Sequence, residues 1–211
     1  MITVCSIFRN AASYVPRYFK QIEALRGEID VRLVLAEGDS TDETRRLIHE
    51  VAEPRDITLT IEHGGFAFGS VDNPERWMNI AHVVSGVIDA VIDPRDALIW
   101  VEGDLLWEPM TMLRLLEVGR PVAPMVYAGS STRFYDTWGY RKNGAMFSGS
   151  PPYIPGEYEM NKSSLVKIDS CGSCFVLPPD NFASFYEWDG MWPFTAGGDL
   201  WLDTDAPVRH P

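Results

Sequence analysis

Residues Ala97–Pro109 read ALIWVEGDLLWEP. Ala97 to Val101 is an apolar run of strand length, and Trp107-Glu108-Pro109 opens the next helical pattern. Between them stand two carboxylates, Glu102 and Asp104, on either side of Gly103. A buried strand that ends in an acidic pair carries the pair to the carboxyl edge of a sheet, where open α/β folds bind ligands. Two carboxylates around a glycine suit a hard divalent cation, Mg²⁺ or Mn²⁺, which takes one or two protein carboxylates and fills its shell with waters and substrate phosphates. The glycine lets the backbone turn and lets a diphosphate come close. An acidic strand-end turn with no ligand has the same sequence, so the surroundings must decide.

Upstream, the chain alternates. Ile2 to Phe8 is a β-branched apolar run that reads as a buried strand, with Arg9-Asn10 at its end. Ala11 to Arg26 carries a helical stripe of Val15, Phe19, Ile22 and Leu25 and stops at Gly27. Val31 to Ala36 is a second buried strand. This β-α-β order predicts a parallel sheet with right-handed crossovers. Glu37-Gly-Asp-Ser-Thr-Asp42 follows the second strand. Ser40 or Thr41 is expected to cap a helix from Asp42 to Val51, while Glu37 falls in the same layer as Glu102. Ile57 to Glu62 reads as a third strand, followed by a Gly-rich loop, His63 to Ser70. Asn73-Pro74 opens a helix to about Val91 that carries Arg76 and Asn79 near its start.

The chain has 211 residues, enough for one domain with a full core. Its 18 basic and 30 acidic residues give a net charge of −12. With no Lys/Arg-rich run, that balance argues against nucleic acid as a generic partner and suits a protein that takes up a metal before an anionic substrate. No apolar run reaches the roughly 18 residues a membrane span needs, and no leader is expected at the N-terminus. Cys5, Cys171 and Cys174 read as structural thiols, with Cys171 and Cys174 beside a tight Gly turn, and a reducing, cytoplasmic compartment fits.

Downstream, Met110 to Val118 reads as a helix and Pro121 to Tyr127 as a strand. Ala128 to Ser163 is long, aperiodic and rich in Gly, Ser, Pro and aromatics, which marks a functional or mobile segment. Leu165 to Asp169 and Gly172 to Leu177 read as strands, and Asp180 to Glu187 as a short helix before the acidic turn Glu187-Trp-Asp189-Gly. The last strand closes on Val-Arg-His210-Pro211.

Taken in order, these motifs resemble the GT-A fold glycosyltransferases. They are the strand ending SIFRN, the strand ending EGDSTDET, the helix with Arg-Trp-Met-Asn, the strand leading to E-G-D before Trp-Glu-Pro, and the C-terminal Val-Arg-His-Pro. Features of both the family-two enzymes and the fungal mannan-polymerase mannosyltransferases are present, over nearly the whole chain. The resemblance implies an α/β GT-A fold, with a single Rossmann-like, mostly parallel sheet flanked by helices. It implies one domain over 1–211, with a nucleotide-sugar-binding half at 1–107 and an acceptor-side half at 108–211.

The implied activity is metal-dependent transfer of a hexosyl or pentosyl group from a nucleotide-diphosphate sugar, UDP-linked ahead of GDP-linked, to an acceptor hydroxyl. The resemblance puts Phe8, Arg9, Glu37, Asp39, Arg76, Asn79, Glu102 and Gly103 at the donor. Asp104, His210 and Glu102 fall at the Mn²⁺ or Mg²⁺ ion, Asp104 being the more direct ligand. Asp189 stands where inverting members keep their base, with Glu187 competing for the role. Glu in place of the first Asp of the D-x-D motif lengthens that arm by a methylene, which also allows a catalytically weak or inactive nucleotide- or sugar-binding module. The acceptor is open: a glycan, a lipid-linked intermediate, a small molecule, a protein side chain or, ranked lower, a hydroxylated base in DNA. With no acceptor domain expected after Pro211, acceptor choice is expected from 128–163 and the stretch after Asp180, or from a partner. A nucleotidyltransferase on a similar sheet would need a Gly-rich phosphate loop after the first strand, and SIFRNAAS has no glycine.

Overall fold

The structure, a computed structural model, describes residues 1–61, 74–91, 95–156, 164–179 and 199–211. The first half comprises β1 (Ile2–Phe8), α1 (Val15–Arg26), β2 (Val31–Glu37), α2 (Thr44–Val51), β3 (Ile57–Thr60), α3 (Pro74–Asp89) and β4 (Ala97–Val101). The second half comprises α4 (Pro109–Glu117), β5 (Val122–Ala128), the short β6 (Arg141–Lys142) and β7 (Ala145–Met146), β8 (Leu165–Ile168), β9 (Cys174–Leu177) and β10 (Leu200–His210).

One eight-stranded sheet runs through both halves in the order β3-β2-β1-β4-β9-β5-β10-β8. Strands β1 to β4 are parallel, as the β-α-β alternation predicts. Beyond them, β9 runs antiparallel between β4 and β5, β10 is parallel to β5, and β8 closes the edge antiparallel to β10. The sheet is therefore mostly parallel, with β9 and β8 reversed. Every residue of β2 and of β4 is buried, the mark of central parallel strands covered on both faces. Helix α1 packs beside α2 and α4, while α3 lies against β1 and β2.

Some boundaries differ from the sequence reading. Helix α1 begins at Val15, with Pro16 in its first turn where a missing N–H costs nothing; Ala11 instead accepts Tyr14 N–H in a preceding turn, at 2.8 Å. Neither Ser40 nor Thr41 caps α2, which begins at Thr44. Both are drawn across to the loop after β1: Ser40 Oγ accepts Asn10 N–H at 3.0 Å, and Thr41 N–H donates to Asn10 Oδ1 at 2.8 Å. Asp42 serves the start of α2 by accepting Thr44 N–H at 3.0 Å, and its other oxygen accepts Ala12 N–H at 3.1 Å. These bonds tie the two strand-end loops together. The predicted helix Asp180 to Glu187 lies outside the described residues, as does the His63 to Ser70 loop.

The three cysteines are free and buried, and burial pushes each thiol well above its ordinary range, which leaves them inert as nucleophiles. Among the described residues no helix is long and apolar enough to cross a membrane.

Candidate functional site

The acidic turn is held from three sides. From β1, Ser6 Oγ donates to Val101 O at 2.6 Å and meets Tyr18 OH at 2.7 Å, which fixes the end of β4 against β1 and α1. From α1, Arg17 donates through Nη2 to Asp104 O, and Gln21 Nε2 reaches Leu105 O at 3.3 Å. These two side chains are one helical turn apart and grip the turn together. From the loop before β9, Ser173 O accepts Glu102 N–H at 3.0 Å. Gly103 is packed under Phe8, and a Cβ there would run into the Phe8 ring.

Strand β10 brings His210 to the same place. It bends at a register shift between Asp203 and Pro207, and buried Asp203 pairs in bidentate fashion with Arg114 of α4 at 2.6 and 3.1 Å. Past the bend, Arg209 and Leu106 exchange backbone hydrogen bonds at 2.7 and 2.8 Å, and His210 O accepts Gly129 N–H at 2.6 Å. His210 Nε2 then lies 3.0 Å from Asp104 Oδ2. The imidazole stacks on Tyr135 with ring centroids 3.8 Å apart and planes 10° from parallel.

This pair fits a cation. His210 Nδ1 is 3.0 Å from Pro211 O, so both ring nitrogens meet acceptors; a metal-bound histidine commonly donates its other N–H to a carbonyl, as Nδ1 is placed to do. Two cis ligands of an octahedral ion at about 2.1 Å are themselves about 3 Å apart. Asp104 Oδ1 is buried with no hydrogen-bond partner among the described residues. Among the described residues no group of three His, Cys, Asp or Glu side chains converges. Asp104 and His210 thus stand as a pair.

The other candidates are distributed as follows. Glu37 is buried, and its carboxylate is occupied by its own loop: Oε1 accepts Ser40 N–H at 2.6 Å and Oε2 pairs with Arg45 Nε at 2.9 Å. Through these bonds Glu37 supports the turn on which Asp39 sits, half-buried with φ of +51°. Arg9 is half-buried at the end of β1, with its Nε buried and without a partner among the described residues. Asn79 lies half-buried on α3. Arg76 is in the first turn of the same helix, with its side chain outside the described set, and Glu187 and Asp189 are also outside it.

The sequence reading missed Asp136. Its carboxylate is inserted between two glycines: a Cβ on Gly139 would come 2.6 Å from Oδ1, and a Cβ on Gly172 would collide with Oδ2. It accepts Gly139 N–H at 3.1 Å, Ser173 N–H at 2.9 Å and Ser173 O–H at 3.0 Å. Desolvation nevertheless pushes its carboxyl above the ordinary range, against these bonds and the nearby His210. The signal lay in Gly139 and Gly172, glycines at φ values open to any residue, whose role is space for a carboxylate from elsewhere in the chain.

No family model matches the sequence, and no curated protein does either. Solved structures do. Residues 1–349 of S. aureus TarS align with 99% of this chain at a TM-score of 0.58 and 7% identity, and the same fragment with UDP at 0.56. These neighbours are GT-A glycosyltransferases. The fold is GT-A. The GT-A scaffold is also similar to the inositol-1-phosphate CTP transferase from T. maritima, which aligns with 99% of this chain at a TM-score of 0.51 and 8% identity. The chain spans 59% of the TarS fragment and 88% of the T. maritima protein. In this GT-A chain, Asp104 and His210 meet at the carboxyl edge of the sheet, where the topology opens its crevice.

Proposed function

We propose that this chain is a metal-dependent glycosyltransferase, moving a sugar from a nucleotide-diphosphate sugar, UDP-linked ahead of GDP-linked, to an acceptor hydroxyl. The observation that carries the reading is the Asp104–His210 pair, 3.0 Å apart, on a GT-A scaffold. The carboxylate suits Mn²⁺ or Mg²⁺ and the imidazole suits a transition metal, so the pair favours Mn²⁺ over Mg²⁺, and these two residues would hold the ion. When bound, it supplies charge neutralisation to the departing nucleoside diphosphate.

The chain's own groups do the rest. Asp39, on its left-handed turn after β2, is assigned to the nucleoside end of the donor, and Glu37 with Arg45 keeps that turn in shape. Arg9, with Arg76 and Asn79 on α3, is assigned to the diphosphate, where a guanidinium pairs with phosphate oxygens in bidentate fashion. Phe8 and Gly103 form the floor under the acidic turn. Asp189, or Glu187, takes the proton from the acceptor hydroxyl if configuration inverts, as in the family-two enzymes. Acceptor choice falls to the segment after β5, where Tyr135 and Trp138 expose aromatic faces of the kind that stack on sugar rings. The UDP preference is supported by the TarS fragment's complex with UDP.

A second reading, a nucleotide-binding module with weak or no transfer, is favoured by one feature: Glu102 stands in the first place of the D-x-D motif. The same experiment separates the two. Thermal shift with UDP, GDP and their sugars, with and without Mn²⁺, is followed by an assay for release of nucleoside diphosphate. Mn²⁺-dependent stabilisation with release supports the transferase. Stabilisation without release supports the module. No stabilisation by any of them overturns both. The T. maritima likeness adds a CTP control; nothing Gly-rich follows β1 to cradle that triphosphate.

A further inference from the structure

We infer that Asp136 is a positioning residue that holds the two halves of the Asp104–His210 pair in register, and the role rests on the reading of that pair just given. Asp104 and His210 arrive on separate strands, tied by the paired backbone hydrogen bonds of Leu106 and Arg209, while the groups that orient them, Ser173 behind Glu102 and Tyr135 over His210, lie on two further segments. Asp136 joins those segments. Two of its three hydrogen bonds go to Ser173, whose carbonyl accepts the N–H of Glu102 at the start of the acidic turn. Its backbone neighbour is Tyr135, whose ring covers the His210 imidazole.

The construction is specific to a short carboxylate. Three donors converge on Asp136, and Gly139 and Gly172 close on it from both sides with no room for another side-chain atom. Ser170 Oγ donates to Gly139 O at 2.9 Å, and Tyr140 N–H donates to Asp136 O at 3.2 Å, so the cradle itself is braced. A carboxylate offers acceptors only, whereas an amide of the same shape turns an NH₂ toward at least one of these N–H or O–H groups. Replacing Asp136 by Asn therefore keeps the volume and breaks the convergence. With Ser173 released, the acidic turn loses its support from the β9 side. With the 135–139 turn released, Tyr135 no longer fixes the plane of His210.

The test uses the full chain and the variant Asp136→Asn, with three readouts. The first is the ring-current shift of the His210 imidazole protons by NMR, referenced to Tyr135→Leu, which removes the ring outright. The second is hydrogen-exchange protection of the Glu102 amide. The third is UDP affinity by calorimetry with and without Mn²⁺. The expected result is a His210 shift moved most of the way to the Tyr135→Leu value and Glu102 protection lowered at least tenfold. The Mn²⁺-dependent gain in UDP affinity should fall at least tenfold, with metal-free UDP affinity unchanged within twofold. Retention of the His210 shift and Glu102 protection in Asp136→Asn overturns the inference, and so does an equal loss of UDP affinity with and without metal. Should Asp136→Asn fail to fold, Ser173→Ala replaces it: one of the three bonds is lost, and smaller changes of the same sign are required. If the unaltered protein shows no Mn²⁺-dependent gain, the functional reading fails while the first two readouts still decide the positioning role.

Discussion

His210 Nε2 and Asp104 Oδ2 stand 3.0 Å apart although 106 positions separate the two residues in the chain. Asp104→Asn and His210→Ala are each expected to remove the Mn²⁺-dependent part of the UDP-induced rise in melting temperature. With UDP at a hundred times its dissociation constant, the ligand stabilises the protein by about 2.7 kcal/mol, and the metal-dependent share of that is what should vanish. Without ligand, Asp104→Asn should shift the melting temperature little, because it removes the charge but leaves an amide atom in the place of the buried Oδ1. A variant that keeps the full Mn²⁺-dependent rise takes that residue out of the site.

Gly103 and Phe8 make a second testable contact. The Phe8 ring is buried, meets Tyr18 edge-on with centroids 5.0 Å apart, and lies where a Cβ on Gly103 would have to go. Gly103→Ala should therefore cost about 1–3 kcal/mol in urea unfolding, the range for overpacking a filled site. In the Phe8→Leu background the same change should cost clearly less, since the smaller side chain can retreat, and the cycle should show coupling of that sign. Equal costs in both backgrounds would mean that Gly103 is required for backbone reasons instead.

The central strands were legible because burial on both faces leaves a plain signature. Ala97–Val101 was bounded correctly from its apolar run alone, and β1 likewise. The reversal of β9 and β8 was not legible, because a short apolar strand such as Cys174–Leu177 has the same composition whichever way it runs. At the site, single residues at strand ends could be flagged, but not how their atoms are occupied. Glu37 has the position of a ligand-facing carboxylate, and its oxygens are taken by Ser40 and Arg45 only because α2 folds back over the strand end. Asp136 was passed over for the converse reason: its donors lie 3 and 37 positions away, and no local pattern announces them.

Arg114 and Asp203 fix the bend in β10 that delivers His210. Asp203 is buried, with 2% of its side chain exposed, whereas Arg114 is 43% exposed. Among the described residues, removing the arginine leaves the buried carboxylate with the Asp205 N–H, at 3.0 Å. For a fully buried pair that loss is about 3–5 kcal/mol; with the guanidinium in contact with solvent, Arg114→Met is expected to cost about 2 kcal/mol. The comparison is Arg46→Gln, which breaks the exposed Arg46–Glu50 and Arg46–Glu43 pairs on α2 and should leave the urea midpoint almost unmoved. Equal effects of the two substitutions would remove the Asp203 pair as a structural strut.

Asp42 supplies the acid sensitivity of the loop pair after β1 and β2. Burial alone would raise its carboxyl, but hydrogen bonds from Thr44 O–H, Thr44 N–H and Ala12 N–H outweigh it and hold it below the ordinary value of 3.8. The folded state thus favours the ionised form. Its contribution is present above the unfolded value and is lost as pH falls through the lowered folded value. Because the group is exposed, the hydrogen bonds are worth about 1 kcal/mol at neutral pH, less than a buried charged bond. Asp42→Asn should cost about that much in urea unfolding at pH 7, with the difference from the parent shrinking as pH falls below 3.8. A difference that stayed constant over that range would show that the carboxylate's charge has no part in joining the two loops.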